Sequence, residues 1–259
     1  MQLPFSLAAG QPSPGLTLVG VGPGDPELLS VAAVRAIAAA AVVAYPVAKA
    51  DAEGMAARIA APWIQPQQRR LPLLFPMVAE AEPRQQAWQA AADILAAAVA
   101  AGQAVVLLCE GDSSLYASCS YALLALAQRH PACPVRVIPG ITAAAAAAAA
   151  ASSQGWPWPL ALQQDALLIR PTPDGPDELE ALLDQAAATA TVLALLKLGQ
   201  RWRWVRPLLA ARGLLEAALF AQRVGWPDQL VSPAQRVPAE EQPYFSLLLI
   251  RQTWPAVLP

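Results

Sequence analysis

Histidine, cysteine and charge are all scarce in this 259-residue chain. The single histidine, His130, precedes Pro131 in an expected turn. A catalytic triad or a histidine-bearing metal site would have to use it. No neighbouring residue supports either, so it reads as an exposed helix-end side chain. The three cysteines, Cys109, Cys119 and Cys133, are odd in number and show no Cys-x-x-Cys spacing. That argues against a disulfide framework and a structural zinc site. The chain is expected to be cytoplasmic and metal-independent. Charged residues make up 14% and the formal net charge is −2, which excludes a globally basic nucleic-acid binder. Long hydrophobic runs are missing too. A membrane-spanning helix needs roughly 20 consecutive apolar residues. The uncharged stretch Val137–Gln164 is interrupted by Pro139, Gly140, Ser152, Gly155, Pro157 and Pro159. Its apolar part is mainly the alanine run Ala143–Ala151, a good helix former and a poor membrane anchor. The N-terminal MQLPFSLAAGQPSPG lacks the basic and apolar regions of a secretory signal and reads as a lead-in. The mean hydropathy of +0.38 therefore needs an explanation other than a membrane.

What is present is a 56% hydrophobic chain in which short β-branched runs alternate with longer alanine-rich ones. Strands are expected at Leu16–Val21, Val42–Tyr45, Arg69–Phe75, Ala104–Cys109 and Val135–Ile138. Pro72 places the third of these at an edge. Helices are expected at Glu27–Ala40, Asp51–Ala61, Pro83–Ala101, Leu115–Arg129 and Thr142–Ala151. The turn-rich SSQGWPWP at Ser152–Pro159 marks a break. Beyond it the pattern restarts, with strands at Asp165–Ile169, Thr191–Leu196, Ala217–Ala221 and Phe245–Arg251, and helices at Asp177–Ala188 and Trp202–Arg212. Continued alternation implies α/β architecture. The expected organisation is a lead-in over 1–15, an α/β domain over 16–154 and a second α/β domain over 155–259.

Three loops follow strands and open helices, at the strand ends where α/β sheets bind ligands. The first is Gly20-Val21-Gly22-Pro23-Gly24-Asp25-Pro26. It has neither the Gly-Lys-Ser/Thr of a phosphate loop nor the dinucleotide spacing, and alone it could be a plain strand–helix junction. The second is Cys109-Glu110-Gly111-Asp112-Ser113-Ser114-Leu115-Tyr116, where Asp112 or Ser113 could simply cap the next helix. The third is Pro139-Gly140-Ile141-Thr142-Ala143, where Thr142 could cap the alanine helix. Tryptophans Trp156 and Trp158 fit interface packing better than base stacking. Trp202 and Trp204, beside Arg201 and Arg203, are a weak nucleic-acid signal in an acidic chain.

Taken in order, VGVGPGDPELLSVAAVRAI, VVAYPVAK, LCEGDSSLYASCSY, VRVIPGITAAAA, LALLKLG, AQRVGWPDQLV and PYFSLLLI resemble the tetrapyrrole (corrin/porphyrin) methylase family. The resemblance spans Leu16 to about Arg251. It implies a two-domain α/β fold with a ligand cleft between the domains, and methyl transfer from S-adenosyl-L-methionine to a tetrapyrrole, with S-adenosyl-L-homocysteine as product. It implies a homodimer, with no nucleic-acid or membrane partner. Carried over by motif, Pro23, Glu110, Gly111, Asp112, Leu115, Thr142 and Ala143 would hold the cofactor, mostly through main-chain groups, and Leu198 and Tyr244 would close the site. The family usually has proline where Ser113 stands, so this turn is expected to be looser. A polyanionic substrate needs cationic forks and apolar walls. Lys49 and Arg84 are the candidate cations, and Tyr45 and Tyr116 the candidate walls, each also readable as an ordinary surface charge or core aromatic. No catalytic residue is assignable from sequence, because positioning alone can supply much of the acceleration of an in-line methyl transfer.

Overall fold

The computed structural model describes residues 14–49 and 52–256. Most of the expected lead-in, and the residue Asp51 at which the second helix was expected to begin, lie outside them. The chain divides into two compact units between Thr142 and Ala143.

The first unit carries β1 (Gly15–Gly20), α1 (Val31–Ala39), β2 (Val42–Val47), α2 (Met55–Ile59), β3 (Arg69–Leu74), α3 (Ala81–Ala100), β4 (Ala104–Cys109), α4 (Ser118–Arg129) and β5 (Val135–Ile138). Its sheet has the order β3-β2-β4-β1-β5 and every pairing is parallel. β4 lies at the centre, which explains its unbroken apolar sequence: Val105, Val106, Leu107, Leu108 and Cys109 are all buried. On one face Leu16, Leu18, Val42, Ala44, Val105, Leu107 and Cys109 pack with Leu95 of α3 and Leu126 of α4. β3 holds the edge, where Pro72 costs no ladder donor.

Three helices differ from the expectation. α2 holds only Met55–Ile59 of the run expected at Asp51–Ala61, with Gly54 extended just ahead of it. The run expected at Glu27–Ala40 splits. Asp25 accepts the Glu27 N–H at 2.8 Å and caps a short 3₁₀ turn, and Ser30 accepts the Ala33 N–H at 3.1 Å and starts α1. Both residues prefer caps to helix interiors. α4 begins at Ser118 rather than Leu115. Tyr116 is left-handed, with φ +54°, and keeps Leu115–Ala117 out of the helix. At its far end, Asp93 of α3 holds both Arg129 (2.7 Å) and His130 Nε2 (2.7 Å), which brings the Asp93 carboxyl down to about 2. His130 is therefore part of a hydrogen-bonded cluster tying α3 to α4.

The second unit carries α5 (Ala143–Ser153), β6 (Ala166–Pro171), α6 (Pro176–Ala188), β7 (Thr191–Leu196), α7 (Trp202–Ala211), β8 (Ala218–Gln222), β9 (Leu230–Pro233) and β10 (Ser246–Ile250). Its mixed sheet has the order β6-β7-β10-β8-β9, with β6 and β7 parallel and β10 antiparallel to both neighbours. The edge strand β9 has no expected counterpart, because four residues containing a proline carry too little pattern. The observed division lies ahead of the one expected at 154/155. Residues of α5 contact β9 and β10, so the alanine helix belongs with the second sheet despite being contiguous in sequence with the first. Trp202 is fully buried, with its indole N–H on the Pro238 carbonyl at 2.8 Å, and is unavailable for stacking on a base. Arg251 and Asp165 form a buried ion pair at 2.6 Å. Among the described residues, no helix is long and apolar enough to cross a membrane.

Candidate functional site

The three glycine-bearing loops follow β1, β4 and β5, which are neighbours at the centre and one side of the first sheet. Their glycines meet main chain to main chain. A Cβ built on Gly20 would stand 2.6 Å from the Gly140 nitrogen and 2.8 Å from the Gly111 carbonyl oxygen. One built on Gly140 would fall on the Gly111 oxygen and lie 2.8 Å from the Gly20 carbonyl carbon. Only glycine allows this approach. Gly22 and Gly111 are joined as an isolated antiparallel bridge, with Gly111 N–H on Gly22 O at 2.8 Å and Gly22 N–H on Gly111 O at 3.2 Å. Gly111 itself is different. Its φ is +65°, and a Cβ there would meet nothing within 4 Å. The node is thus closed below, at Gly20 and Gly140, and open at Gly111.

Asp112 locks the node. One carboxylate oxygen accepts the Gly140 N–H at 2.8 Å, and the other accepts the Ser114 N–H at 2.8 Å and the Ser114 hydroxyl. Burial alone would raise the carboxyl, but the hydrogen bonds donated by Ser114, Gly140 and Leu115 outweigh it and hold it below the ordinary value. Both oxygens are committed within the loops, so the part of Asp112 left to present to a ligand is its main chain. Ser113 is 2% exposed, and its hydroxyl donates to the Ile138 carbonyl at 3.0 Å. Ser120 in turn donates to the Ser113 carbonyl at 3.1 Å. The expectation of a looser turn at Ser113 is thereby corrected. In place of proline's fixed φ, a hydrogen bond ties the β4 loop to the end of β5. Sequence reading missed this latch, whose only cue was a serine in place of the usual proline.

Glu110, between the buried Cys109 and Gly111, is half-buried. Burial pushes its carboxyl above the ordinary carboxylate value. Pro23, Leu115, Thr142 and Ala143 are half-buried in or beside the same loops, and Ala143 opens α5. Tyr116 is exposed, in the left-handed conformation that ends the second loop. Tyr45 sits near the end of β2 against Gly54, where a Cβ would collide with its ring. Lys49 is exposed just beyond β2. Arg84 is the weakest of the candidate substrate residues. Its guanidinium donates to the Glu80 and Ala79 carbonyls at 3.1 and 3.3 Å and lies 6.0 Å from the Trp88 ring centre.

In the second unit, Leu198 and Tyr244 are brought together. Leu198 N–H donates to the Ser246 carbonyl at 3.0 Å, and Gly199 N–H to the Ser246 hydroxyl at 3.1 Å. A Cβ on Gly199 would lie 3.8 Å from the Tyr244 Cα. The Leu198 side chain is fully buried in that unit's core, so it too has only main chain to offer. Tyr244 is exposed and packs edge-on against Phe245.

A five-stranded parallel sheet whose central strand ends in a node of main-chain groups, followed by a five-stranded mixed sheet, defines a two-unit α/β protein. Residues 15–236 match the family model described as Tetrapyrrole (Corrin/Porphyrin) Methylases, and the chain belongs to that family. It is 34% identical over 240 residues to a precorrin-2 C(20)-methyltransferase from Sinorhizobium sp, covering 90% of this chain and 93% of the relative. It is 28% identical to a cobalt-precorrin-2 C(20)-methyltransferase from Salmonella typhimurium, covering 92% and 97%. Among solved structures it superposes on uroporphyrin-III C-methyl transferase from Thermus thermophilus complexed with S-adenyl homocysteine. The TM-score is 0.57, the identity 22%, and 92% of each chain is covered.

Proposed function

We propose that the protein transfers a methyl group from S-adenosylmethionine to C20 of precorrin-2 in cobalamin biosynthesis. The observation that carries this reading is the open, main-chain-lined node at Gly111, set in a chain that is 34% identical to a precorrin-2 C(20)-methyltransferase over nearly its whole length. The segments AYPVAK, LPLLFPM, CEGD with the following Leu115-Tyr116, and PYFS also resemble that group of enzymes.

The residues fit the cofactor. The Gly111 shelf has room for a ligand where a side chain would otherwise stand, and Asp112 and Ser113 fix the loop without turning a charge outward. S-adenosylmethionine, when bound, supplies an electrophilic methyl group on a sulfonium. This chain's part is placement. Main-chain groups around Pro23, Glu110, Gly111, Asp112, Thr142 and Ala143, with Leu115 beside them, hold the donor. Tyr45, Tyr116 and Lys49 line the tetrapyrrole, and Arg84 shapes its own helix start more than it pairs with substrate. Holding two reactants in a near-attack geometry is worth roughly 7–11 kcal/mol. The protein acts as a cytoplasmic homodimer.

The metal-free substrate is favoured over the cobalt-bearing one by the higher identity to the metal-free enzyme, 34% against 28%. Incubation with S-adenosylmethionine and precorrin-2, with and without cobalt, tests the reading. A mass gain of one methyl in the metal-free reaction supports it. Cofactor binding with no gain on either substrate overturns it.

A further inference from the structure

Methylation at a ring carbon that carries hydrogen leaves a proton to be removed, and the loops that hold the node contain several acidic groups. Asp25 is spent on the Glu27 N–H, and Asp112 on Ser114, Leu115 and Gly140. The Glu110 carboxyl has no hydrogen-bond or ion-pair partner among the described residues. It is also the acid placed at the end of the central strand. β4 runs between β1 and β2, with Gly20 opposite Cys109 and Ala44 opposite Leu107, so the chain at Glu110 emerges between the ends of both neighbours. In parallel sheets this edge is where ligands sit. The backbone on either side of Glu110 is held. Cys109 Sγ lies 3.5 Å from the Glu110 carbonyl, and Gly111 is bridged to Gly22.

We propose that Glu110 is the proton acceptor of the methylation, its carboxylate taking the proton from the ring carbon that receives the methyl group. This rests on the reading of the protein as a tetrapyrrole C-methyltransferase. The electron count closes without any further reagent. The bond between sulfur and methyl breaks with its pair left on sulfur, and a ring π pair forms the new carbon–carbon bond. The ring C–H bond then returns its pair to the ring. The proton goes to Glu110 and from there to water when product leaves. The net change is one neutral thioether, one methylated ring and one released proton.

The surroundings suit a general base. Desolvation raises the Glu110 carboxyl above its ordinary value, which makes its carboxylate a stronger base than an exposed one. Cys109 and Asp112 flank it on the same segment, and Cys119 of α4 faces the same strand end, with its Sγ 3.5 Å from the Leu108 carbonyl. The Cys119 thiol is pushed well up by its hydrogen bond with Cys109 and by burial, with the Glu110 charge adding to both. No described cation pairs with Glu110, so nothing pins it in its ionised form.

The test compares wild type, Glu110→Gln and Glu110→Asp in the full-length protein with S-adenosylmethionine and precorrin-2. Glu110→Gln is expected to lose roughly 10²–10⁴-fold in kcat. Its affinity for S-adenosylhomocysteine by calorimetry should stay within about threefold of wild type, as no change in the backbone contacts is involved. The wild-type rate should fall as pH drops through the Glu110 ionisation. That acid limb should vanish in Glu110→Gln and return, displaced, in Glu110→Asp. Independently of turnover, a ¹³C NMR titration of side-chain carboxyls in the cofactor-free protein should show one group ionising above the ordinary 4.5, absent from Glu110→Gln. An active Glu110→Gln with an unchanged acid limb overturns the assignment. So does a titration at or below 4.5, or a parallel loss of cofactor affinity and kcat. If wild type itself methylates no tetrapyrrole, the reading of the function fails and the role of Glu110 fails with it. An active wild type beside an active Glu110→Gln removes Glu110 alone.

Discussion

Gly140→Ala is the sharpest perturbation of the node. The added methyl would fall on the Gly111 carbonyl oxygen and within about 2.9 Å of the Gly20 Cα. Every obstacle is backbone, so no side chain can swing aside and the loops must part. Overpacking of this kind costs about 1–3 kcal/mol. Parting the loops also stretches the bond from Gly140 N–H to the Asp112 carboxylate, and a hydrogen bond to a charged group is worth about 1.5–3 kcal/mol. The two losses share one displacement and do not fully add, so a total of about 2–4 kcal/mol is expected. At about 2–4 °C per kcal/mol for a protein approaching this size, the thermal midpoint should drop by roughly 5–15 °C. Affinity for S-adenosylhomocysteine should fall at least about tenfold, equivalent to about 1.4 kcal/mol. Thermal unfolding followed by circular dichroism, with titration calorimetry below the transition, reads both. Gly102→Ala is the control, since Gly102 has φ +80° with nothing within 4 Å and caps α3 away from the loops. It should show only left-handed strain of about 1–2 kcal/mol and normal affinity. A Gly140→Ala protein with wild-type midpoint and affinity would refute the reasoning.

Other consequences follow from the same geometry. Gly111→Val adds a side chain into open space, so it should cost only about 1–2 kcal/mol of strain while cofactor binding disappears from calorimetry. Ser113→Ala removes the buried bond to the Ile138 carbonyl and should lower stability by about 1 kcal/mol in urea unfolding. Asp112 has a folded-state pKa below its ordinary 3.8, so its contribution is complete above that value and is lost as pH falls through the lowered one. Stability measured from about pH 6 down to about pH 2 should therefore fall more steeply for wild type than for Asp112→Asn. Arg251→Met strands the Asp165 carboxylate in a buried position and should cost about 3–5 kcal/mol, with Arg251→Met/Asp165→Leu recovering much of it.

Much of this was legible in the amino-acid sequence, and the failures have physical reasons. β4 and β7 fall where continuous apolar runs placed them, because a strand covered on both faces leaves an unmistakable pattern. The first and third loops were visible through their glycines. The reason those glycines matter was not visible, since it depends on Gly20, Gly111 and Gly140 meeting across three strands. The Ser113 latch is likewise a contact between residues 25 apart. α4 starts late because Tyr116 takes a left-handed conformation that no propensity predicts for tyrosine. The alanine run Ala143–Ala151 read correctly as a helix, but nothing in nine identical residues tells which sheet it packs against. The high mean hydropathy is explained by two sheets with buried strands and by alanine-rich helices such as α3 and α5 that pack closely on them.

The central claim is methyl transfer to C20 of precorrin-2, and isotope labelling addresses it directly. Incubation with S-adenosylmethionine carrying a ¹³C-methyl group, followed by ¹³C NMR of the isolated product, should give one enriched methyl signal coupled to the C20 position of the ring. Enrichment at any other ring position, or an unlabelled tetrapyrrole recovered from protein that binds the cofactor, would contradict it.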